Sequence, residues 1–268
     1  MAFLQGGFAQ ATTVHRFPGM AGLLAGLCLV FVTGLPAQDK QLFGKVSFPL
    51  GNVQIQVPQA SDWTKATMNH EVFVGDKIMT AAKSRAEITL NGGGKFRVAE
   101  KSEVLLTEAK VTALKKDFGA TVSRGQVWVA AKAAFGETKN VAVRTPTALA
   151  AIRGTKFRTV AGDEESSVLV YEGKVDVNWA QAVDQEQDTQ QGDAGGPIRL
   201  IQPQEIAAPT QVPGPYEVSL EDWISIVEGM QINVRADGKY HMFEFDQTTD
   251  ADLDFVRWNK ERDTEQNE

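Results

Sequence analysis

The chain has 268 residues, 43% of them apolar and 23% charged, with a formal net charge of −7. That balance is globular and excludes a disordered or collagen-like polymer, while the acidic total argues against nucleic acid as a partner. The one cysteine, Cys28, leaves no disulfide framework and no cysteine-ligated metal site to build.

The first 37 residues contain one basic residue, Arg16, and no acid. An apolar run from Met20 to Val32 leads to Thr33-Gly34-Leu35-Pro36-Ala37. This is the layout of a secretory signal peptide, residues 1–37, cut near Ala37, and it sends the protein to the periplasm or the exterior. An uncleaved anchor is the alternative; it needs about twenty apolar residues, and the run reaches that only if Thr33, Pro36 and the flanking glycines are counted. Leu27 stands before Cys28 where a lipoprotein signal requires a small residue, so a lipid anchor is not expected.

From residue 44 to 179 apolar residues alternate. Val53, Ile55 and Val57 begin the pattern, Val72 and Val74 follow, then Ala86, Ile88 and Leu90, Phe96 and Val98, Val127 and Val129. Val141 and Val143, Val168 and Val170, and Val175, Val177 and Trp179 complete it. A period of two places one side-chain set on a buried sheet face. Turn signals separate the runs at Gly75-Asp76, Asn91-Gly92-Gly93-Gly94, Arg124-Gly125, Thr145-Pro146, Gly162-Asp163 and Glu172-Gly173. The fold class expected is all-β, a sandwich or a solenoid-like β stack, with a small α+β C-terminal extension. Lys83, Arg85, Lys95, Arg97, Lys115 and Lys116 fall on alternate positions and are expected to face solvent.

Residues 180–215, rich in Gln, Asp, Gly and Pro, read as a flexible linker with one short strand at Ile198–Ile201. Residues 216–268 read as an extension of helix, hairpin and terminal helix. Ser219 and Asp222 cap a helix carrying Leu220, Trp223, Ile224 and Val227, which Gly229 ends. Ala236-Asp237-Gly238 turns a hairpin, and Asp252–Arg262 brings Leu253, Phe255, Val256 and Trp258 onto an amphipathic helix. Residues 40–180 carry 20 Lys/Arg against 14 Asp/Glu, and residues 181–268 carry 6 against 19. The plain reading of this split is a solvated surface; the sharper one is an acidic tail docking on a basic domain.

Several separated strings agree with one known family. Trp63 precedes Gly75-Asp76-x-Ile78-x-Thr80; Thr145-Pro146 and Arg153-Gly154-Thr155-x-Phe157 follow; Glu172-Gly173 sits between two Val-x-Val strands. The chain resembles the FecR domain. The resemblance implies an extracytoplasmic β module which, in iron-uptake members, passes a signal from an outer-membrane receptor through a membrane helix to a sigma factor. Those members carry a cytoplasmic segment ahead of the helix, whereas nineteen residues precede the apolar run here. The secreted type, without the sigma-regulating segment, is therefore the expectation. Read from the residues alone, Arg153-Gly154-Thr155 suits a tight crossing where Gly lets backbones approach and an Arg fork reaches carbonyls or a carboxylate. Gly75-Asp76 and Glu172-Gly173 suit hairpin turns, and Trp63 and Trp128 suit a core.

Asp250, Asp252, Asp254 and Glu261 copy the carboxylate spacing of a calcium loop, but Phe255 replaces the glycine that its sharp turn needs. Asn91-Gly92-Gly93-Gly94-Lys95 lacks the spaced first glycine of a phosphate loop. His70 and His241 have no neighbour at metal spacing. Neither a catalytic set, a metal nor a cofactor is expected. The expected function is a non-enzymatic binding or signalling module whose partner is an envelope protein, such as a receptor's signalling domain. A carbohydrate or cell-wall binding domain and a structural scaffold are the alternatives. No membrane span is expected after signal cleavage.

Overall fold

The computed structural model describes residues 40–181, 218–219 and 223–265. The signal peptide and the linker strand expected at Ile198–Ile201 lie outside these residues. Among the described residues, eighteen strands form two layers that meet in one strand. The first layer runs, neighbour by neighbour, β4 (Glu71–Phe73), β1 (Leu42–Leu50), β6 (Arg85–Leu90), β7 (Lys95–Val98) and the second half of β9 (Lys115–Ala130). It continues through β12 (Lys156–Ala161), β13 (Glu165–Glu172), β17 (Met230–Arg235), β18 (Lys239–Glu244) and β15 (Val218–Ser219). The second layer runs β3 (Thr64–Lys65), β2 (Val53–Gln56), β5 (Lys77–Thr80), β8 (Glu103–Val111) and the first half of β9. Beyond β9 come β10 (Thr138–Arg144), β11 (Ala148–Arg153), β14 (Lys174–Trp179) and β16 (Ile224–Val227).

The alternation read from the sequence explains the core. Val127 and Val129, Phe157, and Val168 and Val170 point inward from the first layer; Val141 and Val143, and Val175 and Val177 do so from the second. All are buried in one apolar cluster. Phe43 of β1 meets Phe118 of β9 across the gap, edge to face at 5.5 Å, so the layers face each other as a sandwich, open at both edges. The chain visits the layers in turn, as a wound stack would.

β9 is where the sequence reading of a turn fails. Arg124-Gly125 ends nothing: residues 115–124 pair with β8 and β10, and residues 125–130 pair with β7 and β12. Gly125 has φ +94°, and a Cβ there would lie 2.1 Å from Ser102 Oγ and 2.6 Å from Ser102 Cα. Only glycine lets the strand bend through this contact and hand over from one layer to the other. After the handover the chain returns to the second layer, which makes β9 and β10 the one parallel pair among the described strands.

The helix expected over residues 219–228 is corrected by the structure. Ile224–Val227 is strand β16, paired with β14 from Lys174↔Val227 to Val177↔Ile224. β-branched Ile224, Ile226 and Val227 favour the extended form, and alternation buries Ile226 while Ser225 faces out. Gly229, at φ +83°, then turns the chain into β17. The expected hairpin is present as β17 and β18 around Gly238, at φ +80°. Two helices follow, α1 (Gln247–Ala251) and α2 (Asp254–Glu265). Asp246 caps the first by accepting from the Thr248 and Thr249 N–H groups. The extension thus adds strands to both layers and a helix to the outside of the first.

Candidate functional site

The family-motif residues fold into joints between strands. Gly75, at φ +94°, donates its N–H to the Leu106 carbonyl at 2.7 Å. Asp76, 2% exposed, folds its carboxylate back onto the Phe73 N–H at 2.8 Å. Burial pushes the Asp76 carboxyl above its usual range, opposed by that hydrogen bond. Thr80 donates to the Ala99 carbonyl at 2.6 Å and accepts from the Ser102 N–H at 3.0 Å. Thr80→Val would strand both backbone groups in the interior and is expected to lower stability by about 1–3 kcal/mol, read as a lower urea midpoint with unchanged slope.

Thr145 closes the β10–β11 turn by donating to the Ala148 carbonyl (3.0 Å) and accepting its N–H (2.9 Å), with Pro146 exposed at the tip. Arg153 ends β11 opposite Asn140; its side chain lies outside the described residues. Gly154, at φ +67°, leads into buried Thr155, whose carbonyl accepts from Ala131 N–H at 3.2 Å. A Cβ on Gly173 would lie 2.7 Å from the Thr155 methyl. The two separated strings therefore meet at one joint, where Glu172 pairs with Lys132 at 2.6 Å and with Lys156 at 3.4 Å. The Lys132 hydrogen bond, followed by the nearby Lys156 charge, holds the Glu172 carboxyl below its usual range against partial burial. Phe157 enters the core. Trp63 is half-buried and outside the core, a correction to its reading as a core aromatic. Trp128 is buried, but on the outer face of the first layer, against Tyr171 at 4.3 Å.

That outer face carries the largest departure from the sequence reading. Arg97, expected in solvent, is 0% exposed and Glu87 beside it is 1% exposed. Arg97 Nε reaches Glu87 at 2.7 Å, Lys95 Nζ reaches it at 3.1 Å, and Ser47 donates to it at 2.8 Å. Helix α2 supplies the rest: Arg262 binds Glu87 at 2.9 Å, and Asp263 and Asn259 accept from Arg97. The Trp258 ring lies among the Arg85, Arg97 and Arg262 guanidinium groups, 5.3–5.8 Å from each. Burial by itself raises the Glu87 carboxyl, but hydrogen bonds from Arg262, Arg97 and Ser47 outweigh it and hold the group far below the carboxylate range.

Asp250 completes the arrangement. It accepts from Arg158 and, at 2.6 Å, from the Tyr171 hydroxyl, a phenol that burial keeps protonated. Asp254 pairs with Arg85 and Arg257. Two carboxylates of the calcium-like spacing, Asp250 and Asp254, thus go to separate ion pairs. Among the described residues no three metal-ligating side chains converge, and no helix is long and apolar enough to cross a membrane. α2 docks on the first layer through ion pairs of both polarities, Asp254 on Arg85 and Asp263 on Arg97 against Arg262 on Glu87.

Residues 76–176 match the family model described as FecR protein. That stretch is similar to the FecR domain. Two crystal structures of a protein proposed to be an anti-sigma factor from Parabacteroides distasonis are similar, at 17% and 16% identity and a TM-score of 0.42 each. The likeness covers 65% of this chain and 63% and 62% of those chains. No curated protein matches. Within the matched stretch stand β5 to β13 and part of β14; β1 to β4, β15 to β18 and both helices lie outside it. Apart from Trp63, which lies outside the core, the hallmark strings are accounted for as turns and core contacts, with Arg153 the one whose side chain is not described. Sequence reasoning missed the Glu87–Arg97 pair because alternation alone cannot say that a helix covers the outer face.

Proposed function

We propose that this protein is a non-enzymatic extracytoplasmic signalling module that recognises an envelope protein. The observation that carries the reading is a solvated apolar tip beside the joint of the FecR strings. Phe135 is fully exposed and Leu114 is 68% exposed. Their two loops are tied together by the Thr138 N–H donating to the Leu114 carbonyl at 2.8 Å. An exposed aromatic beside an exposed aliphatic on adjoining loops suits the anchor of a protein contact. The FecR domain supports signalling as the purpose of that contact, and the signal-like N-terminus supports an export route. The joints described above use the motif side chains for structure, which supports binding rather than turnover.

The test fractionates cells for the tagged full chain, then passes envelope extract over the purified protein. The expected result is protein in the exported fraction and a partner retained in a protease-sensitive manner. The double variant Leu114→Ser, Phe135→Ser should lose that partner while keeping the wild-type circular dichroism. A cytoplasmic location, or retention indifferent to both substitutions, would overturn the reading.

A further inference from the structure

The outer face of the second layer is built differently from that of the first. Register aligns six residues in a row across six strands: Glu108 opposite Gly119, Gly119 beside Ala142, Ala142 opposite Ala151, Ala151 opposite Asp176, and Asp176 opposite Ser225. The middle of the row is Gly-Ala-Ala, and its ends are polar. At about 4.8 Å between strands, the distance from Glu108 to Asp176 is roughly 19 Å.

The small side chains leave a groove of 570 Å³, lined along this row by Glu108, Ala142, Ala151 and Asp176. One wall adds Asp117 and Asn140, joined at 2.6 Å, and at the far end stands Trp223, 46% exposed. Asn140 Oδ1 is buried without a hydrogen-bond partner, an acceptor left unused in the groove wall. Asp117 stays ionised: burial raises its carboxyl, but hydrogen bonds from Lys115 and Asn140 prevail.

We infer that this groove binds a short neutral or N-acetylated oligosaccharide. The chemistry of the lining selects that class. Carboxylates accept hydroxyl protons, while Asn140 Nδ2 and the lining ammonium groups of Lys110 and Lys115 donate to ring and hydroxyl oxygens. The exposed indole offers a flat apolar face for the C–H side of a pyranose ring. Three carboxylates against two ammonium groups leave the lining net negative, which disfavours nucleic acid and other polyanions. An extended peptide adds along a strand edge, whereas this row runs across the strands and holds no pocket for a large apolar side chain. Neither Phe135 nor Leu114 lines the groove, and its occupancy does not depend on a protein partner.

Calorimetry of the purified protein against chitotetraose, cellotetraose, maltotetraose and mannotetraose tests the inference. Saturable binding of at least one is expected, weakened about tenfold or more by Trp223→Ala and by Ala142→Arg, which fills the floor. Both substitutions lie on the surface, and unchanged circular dichroism verifies the fold. Phe135→Ser should leave the affinity unaltered. Absence of saturable binding across the panel at millimolar sugar, or affinity indifferent to both groove variants, would overturn it.

Discussion

Replacing Glu87 with glutamine is expected to destabilise the fold by about 3–5 kcal/mol, because it leaves the buried Arg97 and its neighbour Arg262 facing an uncharged amide. For a unit of this size that corresponds to a fall in Tm on the order of 10 °C. The variant carries its own pH signature. The folded-state carboxyl of Glu87 lies below its unfolded value, so its stabilisation is complete above about pH 5 and fades as pH falls through the unfolded value of about 4.3 toward the folded one. Wild-type Tm should therefore drop steeply between about pH 5 and pH 3, and Glu87→Gln should drop less over that interval. Parallel curves for the two proteins would show that the carboxylate is not the stabilising partner.

Gly125→Ala carries the second large effect. The new methyl group would be forced into a positive φ, at about 1–3 kcal/mol, and pressed against the Ser102 backbone, which overpacking makes about as expensive again. A lower urea midpoint checks the energy. Solvent exchange at the amides of β9 checks the location, because both layers depend on this strand. Protection should fall first on the two sides of residue 125, in β8 and in β12, and leave the β17–β18 hairpin less affected. Unchanged stability would mean that the strand crosses between layers by some other accommodation than the glycine bend.

Most of the strands were legible because a half-buried sheet writes its burial directly into a two-residue period. Val141-x-Val143 and Val175-x-Val177 needed no further information. Arg124-Gly125 misled because glycine marks a positive φ without saying whether the chain reverses or merely bends; Ser102, distant in sequence, decides. The segment 223–228 misled for a related reason. Trp223, Ile224 and Val227 fit a helical spacing, but the free edge of β14 offers hydrogen-bond partners that no local pattern reveals. Of the interaction surfaces, the family strings were readable but turned out to be joints. The Gly-Ala-Ala groove was not readable, since its residues come from strands whose register only the folded sheet defines.

The order in which the strands are added has a kinetic consequence. Gln231 pairs with Leu169, and Arg262 reaches back to Glu87 across 175 residues. A ribosome-bound chain holding only the first two hundred residues would therefore expose the edges of β13 and β14 and leave Glu87 and Arg97 without their helix. Such long-range closure is slow and prone to self-association. Maturation is thereby postponed until residues 254–265 are available to close over the first layer, so the order of synthesis and the order of folding run apart.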